Sequence, residues 1–211
     1  MNQINSFAPL FWGLILICGL SWGCNQDPCM SDDVDCGEFG NCVSVEDDAL
    51  CLCTSGYEKD SDDRCTVKQV EKFVGTWRAR DIRVVNGQNA SEVYDVVIEE
   101  SPSSITSVLI SNFAKLELTD NGGNVLCEPI VLGTIGGTVI NIQDIGDGLS
   151  YCDAQGQSLN FSGYRFQDAF GEFNNTQDTL FIEYRLTYTL DDEQGNPVTT
   201  EISSQTALFK P

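Results

Sequence analysis

The sequence predicts an all-β chain in two unequal parts. A small disulfide-rich module comes first, followed by a larger antiparallel meander closed as a β-barrel or packed as a β-sandwich. Three observations predict this. Six of the ten cysteines crowd into residues 29–65, and a part that short cannot bury enough apolar surface to fold without covalent help. From residue 70 onward no helical apolar stripe lasts three turns, whereas several segments alternate apolar and polar with period two. Turn signals built on glycine, asparagine and aspartate separate those segments at short intervals.

The N-terminus comes first. Residues 1–26 carry no charged side chain, and residues 7–20 are nearly all apolar. An uninterrupted apolar core of roughly a dozen residues is short for a bilayer span and suits the h-region of a secretory signal. It ends in Leu20-Ser21-Trp22-Gly23-Cys24, a small residue directly before a cysteine. This segment resembles the lipobox of bacterial lipoproteins. The resemblance implies that residues 1–23 are a removed signal peptide and that Cys24 becomes an acylated terminus. Each acyl methylene buried in a membrane would contribute about 0.8 kcal/mol to attachment. Cleavage without acylation and a retained anchor are the alternatives.

The cysteine cluster follows in the order Cys29, Cys36, Cys42, Cys51, Cys53, Cys65, with Cys51-Leu52-Cys53-Thr54-Ser55-Gly56-Tyr57 near its end. Gly56 permits a backbone turn that a side chain would obstruct, and Tyr57 can pack over disulfides in place of a core. Spacing by itself leaves every connectivity open, and a zinc site is the rival use of such thiols. Order and spacing resemble an EGF-like domain over residues 25–66. The resemblance implies pairs Cys29–Cys42, Cys36–Cys51 and Cys53–Cys65. It also directs attention to calcium, which some EGF-like domains bind just before their first cysteine. Asn25, Gln26 and Asp27 are the candidate ligands here, although Pro28 stands where the calcium-binding form has Glu or Gln. Calcium takes six to eight oxygens, so an ordinary acidic loop is the competing reading. No other cofactor is expected.

Residues 70–211 form the β block. Expected strands are 76–85, 93–99, 105–110, 114–118, 125–132, 138–142, 159–166, 179–190 and 198–209. The clearest is 179–190, where Leu180, Ile182, Tyr184, Leu186, Tyr188 and Leu190 share one face and Glu183, Arg185, Thr187 and Thr189 the other. Asn86-Gly87 and Gly136-Gly137 mark two of the turns. Cys127 and Cys152 are expected to pair, closing 24 residues for roughly 3 kcal/mol on the chain-entropy model; two buried thiols are the alternative. The block opens with Phe73-Val74-Gly75-Thr76-Trp77, similar to the Gly-x-Trp signature of lipocalin-like (calycin-type) barrels, in which the tryptophan plugs one barrel end. Together with the stretch Val108-Leu109-Ile110-Ser111-Asn112-Phe113, the whole arrangement resembles EGF-like-domain-containing bacterial surface lipoproteins. That resemblance implies no particular activity.

Charge and composition narrow the function. Net charge is -21 with no histidine, a field that repels nucleic acid and anionic membrane surfaces. Without histidine, serine-histidine and cysteine-histidine catalysis are excluded. Neighbouring carboxylates such as Glu99-Glu100 and Asp191-Asp192 fall on opposite strand faces or in turns. No catalytic residue is expected. Phe161, Tyr164, Phe166, Phe170 and Phe173 either line a glycan or lipid site or fill the barrel. The sequence therefore leads us to expect an exported, non-catalytic binding or interaction protein of the cell envelope. As a lipoprotein it would sit at the outer membrane or cell surface; free secretion is the alternative. Its partners would be the membrane, through the lipid anchor, and an unidentified protein, glycan or small apolar ligand. A lipocalin-like carrier of a small apolar ligand is the alternative function.

Overall fold

A computed structural model describes residues 27–30, 34–85, 87–115, 118–119, 125–127, 130–143, 165–191, 194 and 196–211. Cys24, Asn25, Gln26, Cys152, Phe161 and Tyr164 lie outside them. Cys127 sits on a described strand, but its expected partner Cys152 does not, so the Cys127–Cys152 pair also falls outside.

The described chain is all-β. Two short hairpins make up the disulfide-rich part: β1 (Gly40–Val45) with β2 (Asp48–Cys53), and β3 (Tyr57–Lys59) with β4 (Cys65–Lys68). Disulfides join Cys29 to Cys42, Cys36 to Cys51 and Cys53 to Cys65. Cys42 and Cys51 face each other across β1 and β2 and Cys53 ends β2, so all three bridges fan out from one hairpin. Gly56 takes φ +91°, a left-handed conformation that favours glycine. The Tyr57 ring stacks on Phe39 at 3.8 Å between centroids.

A 3-10 turn at Gln69–Lys72 leads into the larger part. Its strands are β5 (Gly75–Val85), β6 (Gln88–Glu100), β7 (Ser107–Ser111), β8 (Leu118–Thr119), β9 (Val125–Cys127), β10 (Val131–Gly136), β11 (Val139–Ile142), β12 (Arg165–Phe173), β13 (Thr179–Asp191) and β14 (Pro197–Phe209). Eight of them close an antiparallel barrel in the order β5-β6-β7-β10-β11-β12-β13-β14, with β14 paired back to β5. β8 and β9 form a separate small hairpin between β7 and β10. Barrel closure, rather than a sandwich, removes every open sheet edge from the main sheet.

Three strand expectations change. Residues 114–118 do not form one strand: Asn112, Ala114 and Lys115 all adopt positive φ, curling the chain so that Phe113 is fully buried. Residues 125–132 split between β9 and β10. Of the strand expected at 159–166 only residues 165–166 are described; they open β12, which runs on to Phe173. A register shift between Gln167 and Phe170 interrupts it, with Asp168 at φ +52°. That bulge moves the buried positions from Phe166 to Ala169, Gly171 and Phe173, breaking the parity on which a period-two reading depends.

An eight-stranded barrel has an interior just wide enough for side chains to fill or for one small ligand. Along β5, β6, β13 and β14 alternate residues point inward and are buried. At the end nearest the disulfide-rich part, Trp77 is fully buried and its indole N–H donates to the Phe73 carbonyl at 2.7 Å. Phe173 packs on both rings. In the middle, Ile140 occupies space that side chains at two glycines would need. A Cβ on Gly133 would lie 2.8 Å from Ile140 Cδ1; one on Gly171 would lie 2.8 Å from Ile182 Cγ1 and 2.9 Å from the Phe181 carbonyl. The backbone oxygen cannot swing away. Gly171→Ala is therefore expected to destabilise the barrel by about 1–3 kcal/mol, the usual cost of overpacking, read as a lowered midpoint in chemical denaturation with disulfides intact. Wild-type stability would show that the interior has slack.

Candidate functional site

Among the described residues one charged group lies wholly inside the barrel. Asp81 on β5 has no exposed surface, and a buried carboxylate is costly unless fully hydrogen-bonded. Its Oδ2 accepts from Arg83 Nε at 2.5 Å, Tyr184 Oη at 3.1 Å and Tyr94 Oη at 3.2 Å. Its Oδ1 accepts from Thr206 Oγ1 at 2.9 Å and from Ser204 Oγ. These partners come from β5, β6, β13 and β14, so one carboxylate ties four consecutive strands of the barrel wall together. Arg83 continues the network outward: its Nη2 lies 3.0 Å from Glu92 Oε2, and Lys115 Nζ lies 3.5 Å from Glu92 Oε1.

Above this network an aromatic trio closes the far half of the interior. Phe113, delivered by the left-handed turn after β7, lies 5.1 Å from the Tyr184 ring and 5.5 Å from Phe166; Phe166 meets Tyr184 at 5.6 Å. Asn112 holds that turn in place by donating from Nδ2 to the Asp95 carbonyl at 2.7 Å.

Chemically, the Asp81 site is occupied by its own protein. A carboxylate offers about four lone-pair directions, and five donors already use them. Of the aromatic residues singled out in the sequence, Phe166 and Phe173 fill the barrel, while Phe170 faces outward and is exposed. The Asp81 network was not anticipated. Its one sequence signal is parity: Trp77, Ala79, Asp81 and Arg83 lie on a single strand face.

Asp27, the described member of the calcium candidates, uses Oδ1 to accept from the Cys29 backbone N–H at 3.0 Å and from Ser44 Oγ. Those bonds, Ser44 first, hold its carboxyl below the ordinary 3.8. It caps the 3-10 turn Pro28–Met30. The acidic run Asp60, Asp62, Asp63 is likewise engaged internally. Asp60 accepts from Thr66 Oγ1 at 2.7 Å and from the backbone of Asp62 and Arg64, while Arg64 and Lys59 pair with Asp62 and Asp63. Among the described residues no group of three acidic or sulfur ligands is arranged to hold a metal.

The disulfide-rich part is seated on the tryptophan end of the barrel. A Cβ on Gly56 would lie 2.9 Å from Ile105 Cδ1 in the β6–β7 connection. Gln69 bridges the two parts: its backbone N–H donates to the Gly56 carbonyl at 2.9 Å, and its Oε1 accepts from the Gly137 N–H at 3.3 Å. Lys68 pairs with Glu100 at 2.9 Å. Comparison with protein-family models, with curated proteins and with solved structures finds no match to this chain.

Two outcomes follow from the buried network. Asp81→Ala strands five donors and leaves Arg83 without its buried counter-charge, so it is expected to cost about 3–5 kcal/mol, measurable by denaturant titration. The second concerns alkaline pH. Burial above all, then the neighbouring Tyr184 and Asp81, pushes the Tyr94 phenol well above 10.0; burial and then Asp81 do the same to Tyr184. Raised folded values mean that their contribution to stability is complete below 10.0 and is lost only as pH climbs through those values. In an ultraviolet titration neither phenol should ionise in the native protein near pH 10, and both should appear when alkali unfolds it. A fall in native amplitude near pH 10 in Tyr94→Phe or Tyr184→Phe would contradict this.

Proposed function

We propose that the protein is an exported, lipid-anchored component of the cell envelope that acts as a non-catalytic interaction module. In this reading Cys24 carries the lipid, an EGF-like unit forms the rigid connector, and a lipocalin-like barrel presents its outer surface to a partner. The observation that carries the reading is the set of large side chains buried along the interior of the described barrel. Trp77, Phe73 and Phe173 occupy one end, Ile140 and its neighbours the middle, and the Asp81 network with Phe113, Phe166 and Tyr184 the other half. A barrel so occupied offers its outside, not a central ligand cavity, for recognition. Three disulfides support an oxidising compartment, and the excess of negative charge disfavours nucleic acid. The absence of histidine and the saturated Asp81 support a non-catalytic role.

Native mass spectrometry on protein extracted from its host's membranes tests this directly. The expected species begins at Cys24, carries acyl mass and releases nothing on unfolding. A stoichiometric non-covalent lipid would overturn the filled-barrel reading in favour of a carrier. An unmodified terminus elsewhere would overturn the anchor and leave the interaction role to be judged by the barrel alone.

A further inference from the structure

The outer wall of the barrel has an unusual face. Ile82, Val84, Val93, Phe170, Phe181 and Phe209 are each 41–55% exposed, and all lie on the continuous run β6-β5-β14-β13-β12. Exposed apolar side chains gathered on one stretch of wall and set among charged and amide side chains have the mixed character of an association surface. Its arrangement is ordered. Strand register places Arg80, Ala207, Phe181 and Glu172 side by side in one row across β5, β14, β13 and β12. The next row reads Ile82, Gln205, Glu183 and Phe170. With neighbouring strands about 4.8 Å apart, each row spans about 14 Å. Gln205 Nε2 donates to Glu183 Oε1 at 2.9 Å, whereas Arg80 and Glu172, both exposed, have no ionic partner among the described residues.

We propose that this face binds a second copy of the same chain, forming a two-fold homodimer independent of the role assigned above. The reason is the symmetry of the two rows. A two-fold axis lying in the face, parallel to the strands and midway between β13 and β14, reverses each row onto itself. Arg80 of one protomer then meets Glu172 of its partner, and Glu172 meets the partner's Arg80. Phe181 lies on the partner's Ala207, a ring against a methyl group small enough to admit it. In the next row Ile82 meets Phe170, and Gln205 meets Glu183. In these two rows cation meets anion, apolar meets apolar and amide meets carboxylate, as a self-complementary interface requires; the adjacent row sets Val84 against Gln167 and Ser203 against Arg185, with no like charges facing. A highly acidic chain would not otherwise favour its own copy. Here the cation is supplied where the partner's carboxylate arrives.

The test is sedimentation equilibrium on the full chain, purified in density-matched detergent at physiological salt, with circular dichroism to confirm folding. The wild type should show a reversible monomer–dimer equilibrium. Arg80→Glu and Glu172→Arg each bring like charges together at both ends of the row and should weaken the dimer by about tenfold or more. The double exchange restores opposite charges in reverse and should recover most of the wild-type affinity. Phe181→Ser, which changes no charge, should also weaken it. A wild type that stays monomeric to about 100 μM, or folded single variants that dimerise like the wild type, would overturn the proposal. So would a double variant no stronger than the singles.

Discussion

A carboxylate that must be satisfied inside an eight-stranded barrel governs much of this architecture. Asp81 has no exposed surface and is met by five donors from four strands. Such a group contributes little net stability when complete, yet losing one partner is costly because the remaining charge stays buried. The network therefore acts as a specificity device: Tyr94, Tyr184, Ser204 and Thr206 must all arrive in register. A one-residue slip of any contributing strand would turn its donor to the outside.

Placing Asp81 and Arg83 inward has a consequence on the other side of the wall. Residues of a strand alternate faces, so Ile82 and Val84 are forced outward at the far part of β5. The usual polarity of an amphipathic strand is inverted there. The buried polar network and the exposed apolar face are two sides of one register choice. At the other end of the barrel, Trp77 and Phe73 seal the interior and the 3-10 turn at Gln69–Lys72 carries the chain to the disulfide-rich part. Among the described residues that part is seated through Gly56 against Ile105, the Gln69 hydrogen bonds and the Lys68–Glu100 pair. Gly56 matters there twice, through its φ of +91° and through its closeness to Ile105.

How far each element was legible follows from its local regularity. β13 reads directly because its alternation is unbroken from Leu180 to Leu186. The turn at Gly87 and the one at Gly137 read because positive φ there calls for glycine. β12 did not read, because a bulge at Asp168 switches the inward parity and no local signal announces it. The left-handed turn at Asn112–Lys115 did not read either: Ala114 has no intrinsic preference for φ +57°. Burial of Phe113 and the Asn112 bond to β6 impose that conformation. Asp81 was visible as a residue but not as a site, since its donors Tyr184, Ser204 and Thr206 lie more than 100 positions away.

By itself the sequence determined the class of the protein. Cysteine density called for covalent stapling of a part too small for its own core, period-two alternation called for β-structure, and the charge and missing histidine removed whole families of chemistry. These follow from local composition and spacing, which the chain carries wherever it folds. Tertiary structure decided that the meander closes as a barrel, which side chains are buried along its interior, and that Asp81 is surrounded. It also decided that Arg80, Ala207, Phe181 and Glu172 share one row. Those facts depend on register between strands distant in sequence, and register is settled only when all the walls of the barrel compete for the same limited interior.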